Sequence, residues 1–457
     1  MEMLLFSATR NRAEFSIDAY ASETSVVPGG KISFRVAAWT GNDDYISKDE
    51  ACIKIYRASQ LAYGTASDLP FKQRTDSVYQ NDYRAYLSIK RNEDPHFVQH
   101  FPIARQTKVH NPAAQGCGWD AAVSWILPND AQAGLYVAQI SCEGSNTYVL
   151  FVARPKRTGS TSRILCQLSW NTYQAYNPWG RACFYKLPIG PGKEESTPLQ
   201  AVSIDRPCQL LDFMIYEQPI IAWLERHYDV EYCTNLDLHT SEDLLSVERY
   251  RLFISCGHDE YWSGEMRDHL ERFSVAGGNV MFLSGNTCYR GVEIGDRKLS
   301  KIGNDGFWER QNPSRNPAET TGVNWSAGQW SKRIPRRGYR VERPSHWIFD
   351  GTGLQRYDVF GEKEGIIGYE ADAAEYVRDP EGYPQTTGTN GTPPEFTILA
   401  TADLSKWRDR AGMATMGIFQ RGPGIVIAAG TTGWGQGLKR SRGYVHRITK
   451  NLVDRLR

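Results

Sequence analysis

The stretch Gly257 to Trp262, GHDEYW, places a histidine and two carboxylates beside two aromatic residues, directly after the apolar run Leu252, Phe253, Ile254. Glu260 offers a hard oxygen ligand of the kind that suits a hard cation such as iron(III), and His258, two positions away, can act as acid or base. Their spacing is not the i, i+4 of a helical zinc protease, and neither a GxSxG elbow nor a GxxxxGK[ST] phosphate loop occurs in the chain. Cys256 stands at a strand-to-helix corner, where a glutamine-amidotransferase-type nucleophile would sit. An inert buried thiol is the commoner outcome for such a cysteine.

The surrounding pattern explains how these residues would be positioned. Leu252–Ile254 reads as a short buried strand, and Gly264, Glu265, Met266, Asp268 and Leu270 read as an amphipathic helix capped by Ser263. A strand, a polar turn and a helix make half of a βαβ unit, and ligands collect at the carboxyl ends of such strands. Three further strand ends carry polar groups: Tyr173, Tyr176 and Asn177; Asp237 and His239; Asn286, Tyr289 and Arg290. Any one of them, taken alone, reads as an ordinary capped strand end with satisfied polar groups, but together they point to a site.

The wider chain divides in two. Up to residue 155 the rhythm is that of β-strands: Ile32, Phe34 and Val36 alternate after a Pro-Gly-Gly turn, Ile53 and Ile55 alternate again, and GLYVAQISCEG with TYVLFVARP reads as a hairpin. This predicts a β-sandwich of immunoglobulin or lectin type over 1–155. The polar stretch from Gln60 to Asn111 yields no assignment. After the linker RPKRTGSTS, strands alternate with helices, and residues 156–457 read as a three-layer α/β domain. Gly303–Trp330 and Asp379–Pro394 read as long loops.

Composition narrows the function classes. A net charge of +1 gives no global case for nucleic acid or an anionic membrane, and no apolar run reaches the roughly 18 residues of a membrane span. Nine cysteines, none in a CxxC pair, resemble neither a disulfide framework nor a zinc ribbon. With no secretory leader in MEMLLFSATRNRAEF, a cytoplasmic protein is expected.

The runs NTYQAYNPWG, NLDLHT, GHDEYWS and SGNTCYR, in this order and preceded by CGWDAAVSWILPNDAQAGLYVAQI, resemble the large (beta) subunit of N,N-dimethylformamidase and its relatives. The resemblance covers roughly residues 117–290. It implies a glutamine-amidotransferase-like α/β domain behind the sandwich, a site between the two, and hydrolysis of an amide by mononuclear Fe(III). Carried over residue by residue, it implies Tyr136, Tyr176 and Glu260 as the metal ligands, with Tyr173 as substitute for Tyr176. It also implies His258 as the proton-transferring residue beside the metal and Asn286 as a pocket asparagine able to donate to an oxyanion. The partners expected are a small-molecule amide and either a second copy of the chain or a small accessory subunit. Three other readings stay open: redox chemistry at the iron, a metal-free hydrolase with Cys256 as nucleophile, and a carbohydrate- or protein-binding module.

Overall fold

The computed structural model describes the chain except for residues 1–14, 41–43, 59–60, 64–86, 90–93, 188, 190–193, 209, 211, 331–336, 406–411 and 441. The chain forms two compact units. The first comprises 1–156, 173–211 and 295–300, and the second 157–172, 212–294 and 301–457.

In the first unit, alternation does what the sequence predicts. Phe15–Ala21 pairs antiparallel with Lys31–Thr40, which also pairs with Ala121–Ile126 and Tyr45–Ile46. A second sheet runs Ser25–Val26, Ser145–Ala153, Gly134–Cys142, Lys48–Arg57, Phe97–Ile103. Ile32, Phe34 and Val36 of the one and Ile53, Ile55, Ile140 and Phe151 of the other share a single buried core. Each such side chain contributes about 1.5–3 kcal/mol on burial. The hairpin turns at Glu143 and Gly144, both at positive φ. The strand Phe97–Ile103 lies inside the stretch that sequence alone leaves unassigned; much of the rest of that stretch is outside the described residues.

The second unit is built on a nine-stranded sheet. Glu231–Thr234, Ile164–Leu168, Leu252–His258, Asn279–Gly285 and Gly424–Ala428 run parallel, in that spatial order. Met413–Arg421, Thr397–Asp403, Tyr339–Val341 and Val359–Phe360 continue it antiparallel. Leu252–His258 is buried along its whole length, as a strand flanked by two parallel neighbours must be. Ser263 caps the helix Gly264–Val275 by accepting from the Met266 N–H, and Gly277 ends it at φ +103°. Among the described residues no helix is long and apolar enough to cross a membrane.

Two segments expected as loops carry structure. Asn324–Trp330 is a strand paired antiparallel with Glu370–Ala373, and Pro384–Thr386 forms a hairpin with Tyr376–Arg378. The first has no clean alternation because its register is interrupted and Gly328 lies where the backbone of Ala371 leaves no space for a Cβ.

Candidate active site

The polar burst after Leu252–Ile254 sorts its side chains by function. Asp259 turns back into the sheet, where it accepts from Gln167 Nε2 and Ser255 Oγ, both at 2.8 Å. Its neighbours His258 and Glu260 meet each other instead, Nε2 to Oε2 at 3.4 Å. The Glu260 N–H donates to Thr172 Oγ1 at 2.9 Å, so the segment after Ile164–Leu168 fixes the backbone that carries this carboxylate. Tyr261–Trp262 pairs with Arg290–Gly291, which brings the Arg290 Nε to 3.6 Å from Glu260 Oε1. Gly257 sits at φ +76°, and a Cβ there would lie 2.5 Å from Glu217 Cγ. Only glycine lets the π-helical turn Phe213–Glu217 pack this closely against the strand.

A third strand supplies the closest partner of His258. Its Nε2 lies 2.7 Å from Glu370 Oε2, and Asn286 Nδ2 donates to that same oxygen at 2.9 Å. Asn286 is held at φ +54° by Asp372, whose carboxylate accepts the N–H groups of Asn286 at 2.8 Å and Thr287 at 3.2 Å. Thr432 clamps the segment from behind: its hydroxyl donates to the Gly368 carbonyl and its N–H to that of Glu370. The Oδ1 of Asn286 is buried and has no partner among the described residues, so as placed it offers an acceptor to water or to a substrate N–H.

The group retains a proton tightly. Burial disfavours a charged His258, but Glu370, with Asp212 and Glu260, outweighs it and holds the imidazolium well above the usual histidine range. Burial likewise raises Glu370, against the attraction of His258. Asp372 is pushed up to about 7 by burial, with its two backbone hydrogen bonds acting the other way. His258, Glu260 and Glu370 place one ligand atom each within 4.8 Å of one another, so with the histidine deprotonated this buried set of one nitrogen and two carboxylate oxygens could hold a metal cation. An imidazole and two carboxylates in that arrangement can also relay protons without one.

This assembly at the carboxyl end of a parallel strand coincides with a family match. The family described as N,N-dimethylformamidase beta subunit-like, C-terminal, matches residues 77–446, most of the chain. The chain belongs to that family. The beta subunit of N,N-dimethylformamidase from Paracoccus aminophilus is 25% identical over 359 residues, 64% of this chain and 45% of that protein. The beta subunit from Alcaligenes sp is 24% identical over 358 residues, with the same coverages. The chain therefore spans less than half the length of these curated relatives. A sporulation control protein from Bacillus subtilis, Spo0M, aligns with 32% of the chain at 9% identity and a TM-score of 0.16, too low to carry any argument.

Of the residues that the N,N-dimethylformamidase resemblance implies, His258, Glu260 and Asn286 come together in the second unit. Tyr176 and Tyr136 belong to the first. Tyr176 is half-buried and stacks on Tyr185 at 4.4 Å. Tyr136 lies in the sandwich core, stacked on Phe151, and its hydroxyl donates to the Gln132 carbonyl at 3.0 Å. Tyr173 is buried in the first unit. Asp237 caps its own helix with Thr234, His239 bonds to Ser263, and Asn177 bonds to the Pro207 carbonyl. Cys256 is fully buried 3.8 Å from the thiol of Cys166, and the bond to Cys166 together with burial pushes it well above the usual thiol range. That environment opposes formation of a thiolate nucleophile.

Sequence reasoning missed Glu370, Asp372, Asp212, Tyr216 and Tyr369. A signal existed for the first two: in IIGYEADA the acids recur at a spacing of two amid apolar and small residues. Carboxylates that share one face of a buried strand need a functional or structural partner.

Proposed function

We propose that this chain hydrolyses the C–N bond of a small amide at the His258, Glu260, Asn286 and Glu370 group. The observation that carries the reading is the 2.7 Å contact of His258 with Glu370 in a buried, proton-retaining group beside Glu260. Glu370 takes a proton from water oriented by the Oδ1 of Asn286, and the oxygen attacks the amide carbonyl. The imidazolium of His258 gives its proton to the departing nitrogen, so amide and water become carboxylic acid and amine. Positioned acid–base groups of this kind contribute about 10²–10⁴-fold each. Arg290, whose Nε lies 3.6 Å from Glu260 Oε1, orients that carboxylate.

In this reading the Glu260 carboxylate would hold a single Fe(III), with the Tyr136 and Tyr176 phenolates as the further ligands that the family resemblance implies, and such an ion would supply a Lewis acid. Tyr136 would have to exchange its bond to Gln132 for such a role. The five parallel strands, whose spatial order puts the second in chain order before the first, support a three-layer domain of glutamine-amidotransferase type. The relatives' designation as beta subunits supports a partner polypeptide.

The test is the release of carboxylate and amine from N-methylated formamides by iron-loaded protein, alongside metal analysis. His258→Gln and Glu370→Gln are expected to lose at least about 10²-fold in kcat, and Cys256→Ala to keep activity. An inactive wild-type protein of full iron content, or a His258→Gln variant at the wild-type rate, defeats the proposal.

A further inference from the structure

The groups around His258 differ in their access to solvent. Glu260, Glu370 and Asn286 are buried, whereas Asp212 keeps 24% of its side chain exposed and Tyr216 and Tyr369 are half-buried. With the Arg290 side chain at 19%, one carboxylate and two aromatic rings are therefore the more exposed members of the group. The rings stack on each other at 6.1 Å and 19°, and both stand nearly perpendicular to the imidazole, at 6.4 Å and 5.7 Å. The ring separation is less than the roughly 7 Å that two carbon contacts need, so no ligand enters between the rings.

Both rings arrive on unusual backbone. Tyr216 is carried by the π-helical turn Phe213–Glu217, and Tyr369 sits at φ +53°, rare for a bulky residue. Two local irregularities, far apart in sequence, converge on one imidazole. Strain of this sort persists where the surrounding structure holds it and clusters at ligand sites. The charges point the same way. Three carboxylates, Asp212, Glu260 and Glu370, lie at 3.9, 3.4 and 2.7 Å from the imidazole nitrogens, against the one guanidinium of Arg290 beside Glu260.

Aromatic faces beside a carboxylate attract alkylated ammonium ions, whose spread charge interacts with the rings while their carbon groups leave water. We propose that Asp212, Tyr216 and Tyr369 form a subsite for an alkylammonium group. In the hydrolytic reading this is where the nitrogen substituents of the amide rest and from which the released amine departs. That assignment to a reaction rests on the proposed function; the cation subsite itself does not.

Calorimetric titration of the full chain with tetramethylammonium chloride tests it without turnover. Saturable binding is expected, and tert-butanol, neutral and of similar shape, is expected to bind at least about tenfold more weakly. Asp212→Asn and Tyr216→Leu should each weaken tetramethylammonium by roughly fivefold to tenfold, while Tyr216→Phe stays within about twofold. Tyr369→Leu is a parallel test, with thermal unfolding of every variant to confirm the fold. Absence of saturable binding, equal affinity for tert-butanol, or unchanged affinity in folded Asp212→Asn and Tyr216→Leu overturns the subsite. Amide hydrolysis by a chain that ignores tetramethylammonium would leave the hydrolytic reading standing and this one refuted. Binding without hydrolysis would do the reverse.

Discussion

Replacing Glu370 by Gln removes a charge and leaves the shape. At 2.7 Å from His258 Nε2 and an effective dielectric constant near 20, the lost attraction is about 6 kcal/mol. Desolvation of both groups offsets part of this, and removal of one partner of a buried pair costs about 3–5 kcal/mol overall. The pH dependence has a definite sign. His258 has a raised pKa in the folded protein, so its contribution to stability is fully present below the unfolded value of about 6.5 and fades as pH rises through the folded value. Glu370→Gln removes the chief support of that charge, and burial then opposes it, so the variant should lose most stability relative to wild type below about pH 6.5. The assay is urea unfolding of chelator-treated protein at pH 5.5 to 9, with Glu370→Gln, His258→Gln and the double variant. A coupling energy of about 2–4 kcal/mol at pH 6 is expected. A coupling under about 0.5 kcal/mol, or identical pH dependence of wild type and Glu370→Gln, would refute the ion pair as the organising contact of the site.

Glu342 is fully buried and accepts from both ends of Arg378 at 3.0 and 2.9 Å and from Thr401 at 2.6 Å. Burial raises its pKa, but these bonds and that from Arg340 lower it overall. Its stabilisation is present above about pH 4.3 and lost as pH falls through the depressed value, so Glu342→Gln should cost about 2–4 kcal/mol at pH 7 and flatten the acid limb of an unfolding-versus-pH curve. Gly257→Ala meets both a left-handed backbone and the Glu217 side chain, and a loss of at least about 2 kcal/mol in chemical unfolding is expected. If Fe(III) is held by phenolate, iron-loaded protein should absorb broadly in the visible and bleach with dithionite. Tyr176→Phe and Tyr136→Phe should each shift or weaken that band, and a colourless ferric protein rules the tyrosines out.

Much of this protein is readable from local pattern. The alternation of Ile53 and Ile55, the buried run ending at His258, the Ser263 cap and the Gly277 stop are each set by residues adjacent in sequence, and each element forms as those residues dictate. The same locality delivers His258 and Glu260 at a strand end, because a parallel strand in this sheet must stop where its crossover helix begins. Glu370, Asp372 and Tyr369 were a different matter. They lie over a hundred residues downstream, Glu370 and Asp372 on a short strand and Tyr369 just before it, and the partner of that strand, Asn324–Trp330, shows no periodicity of its own. Their place beside His258 depends on Thr432 and on the left-handed turn at Asn286, contacts that only the closed sheet creates. Asp259 makes the same point in reverse. Its residue type and position match those of its neighbours, yet side chains on adjacent positions of an extended backbone point to opposite faces, and it turns to Gln167 and Ser255 instead. Sequence alone determined which residues could do chemistry, because that depends on side-chain type; tertiary structure decided which of them meet, because proximity depends on where distant strands end.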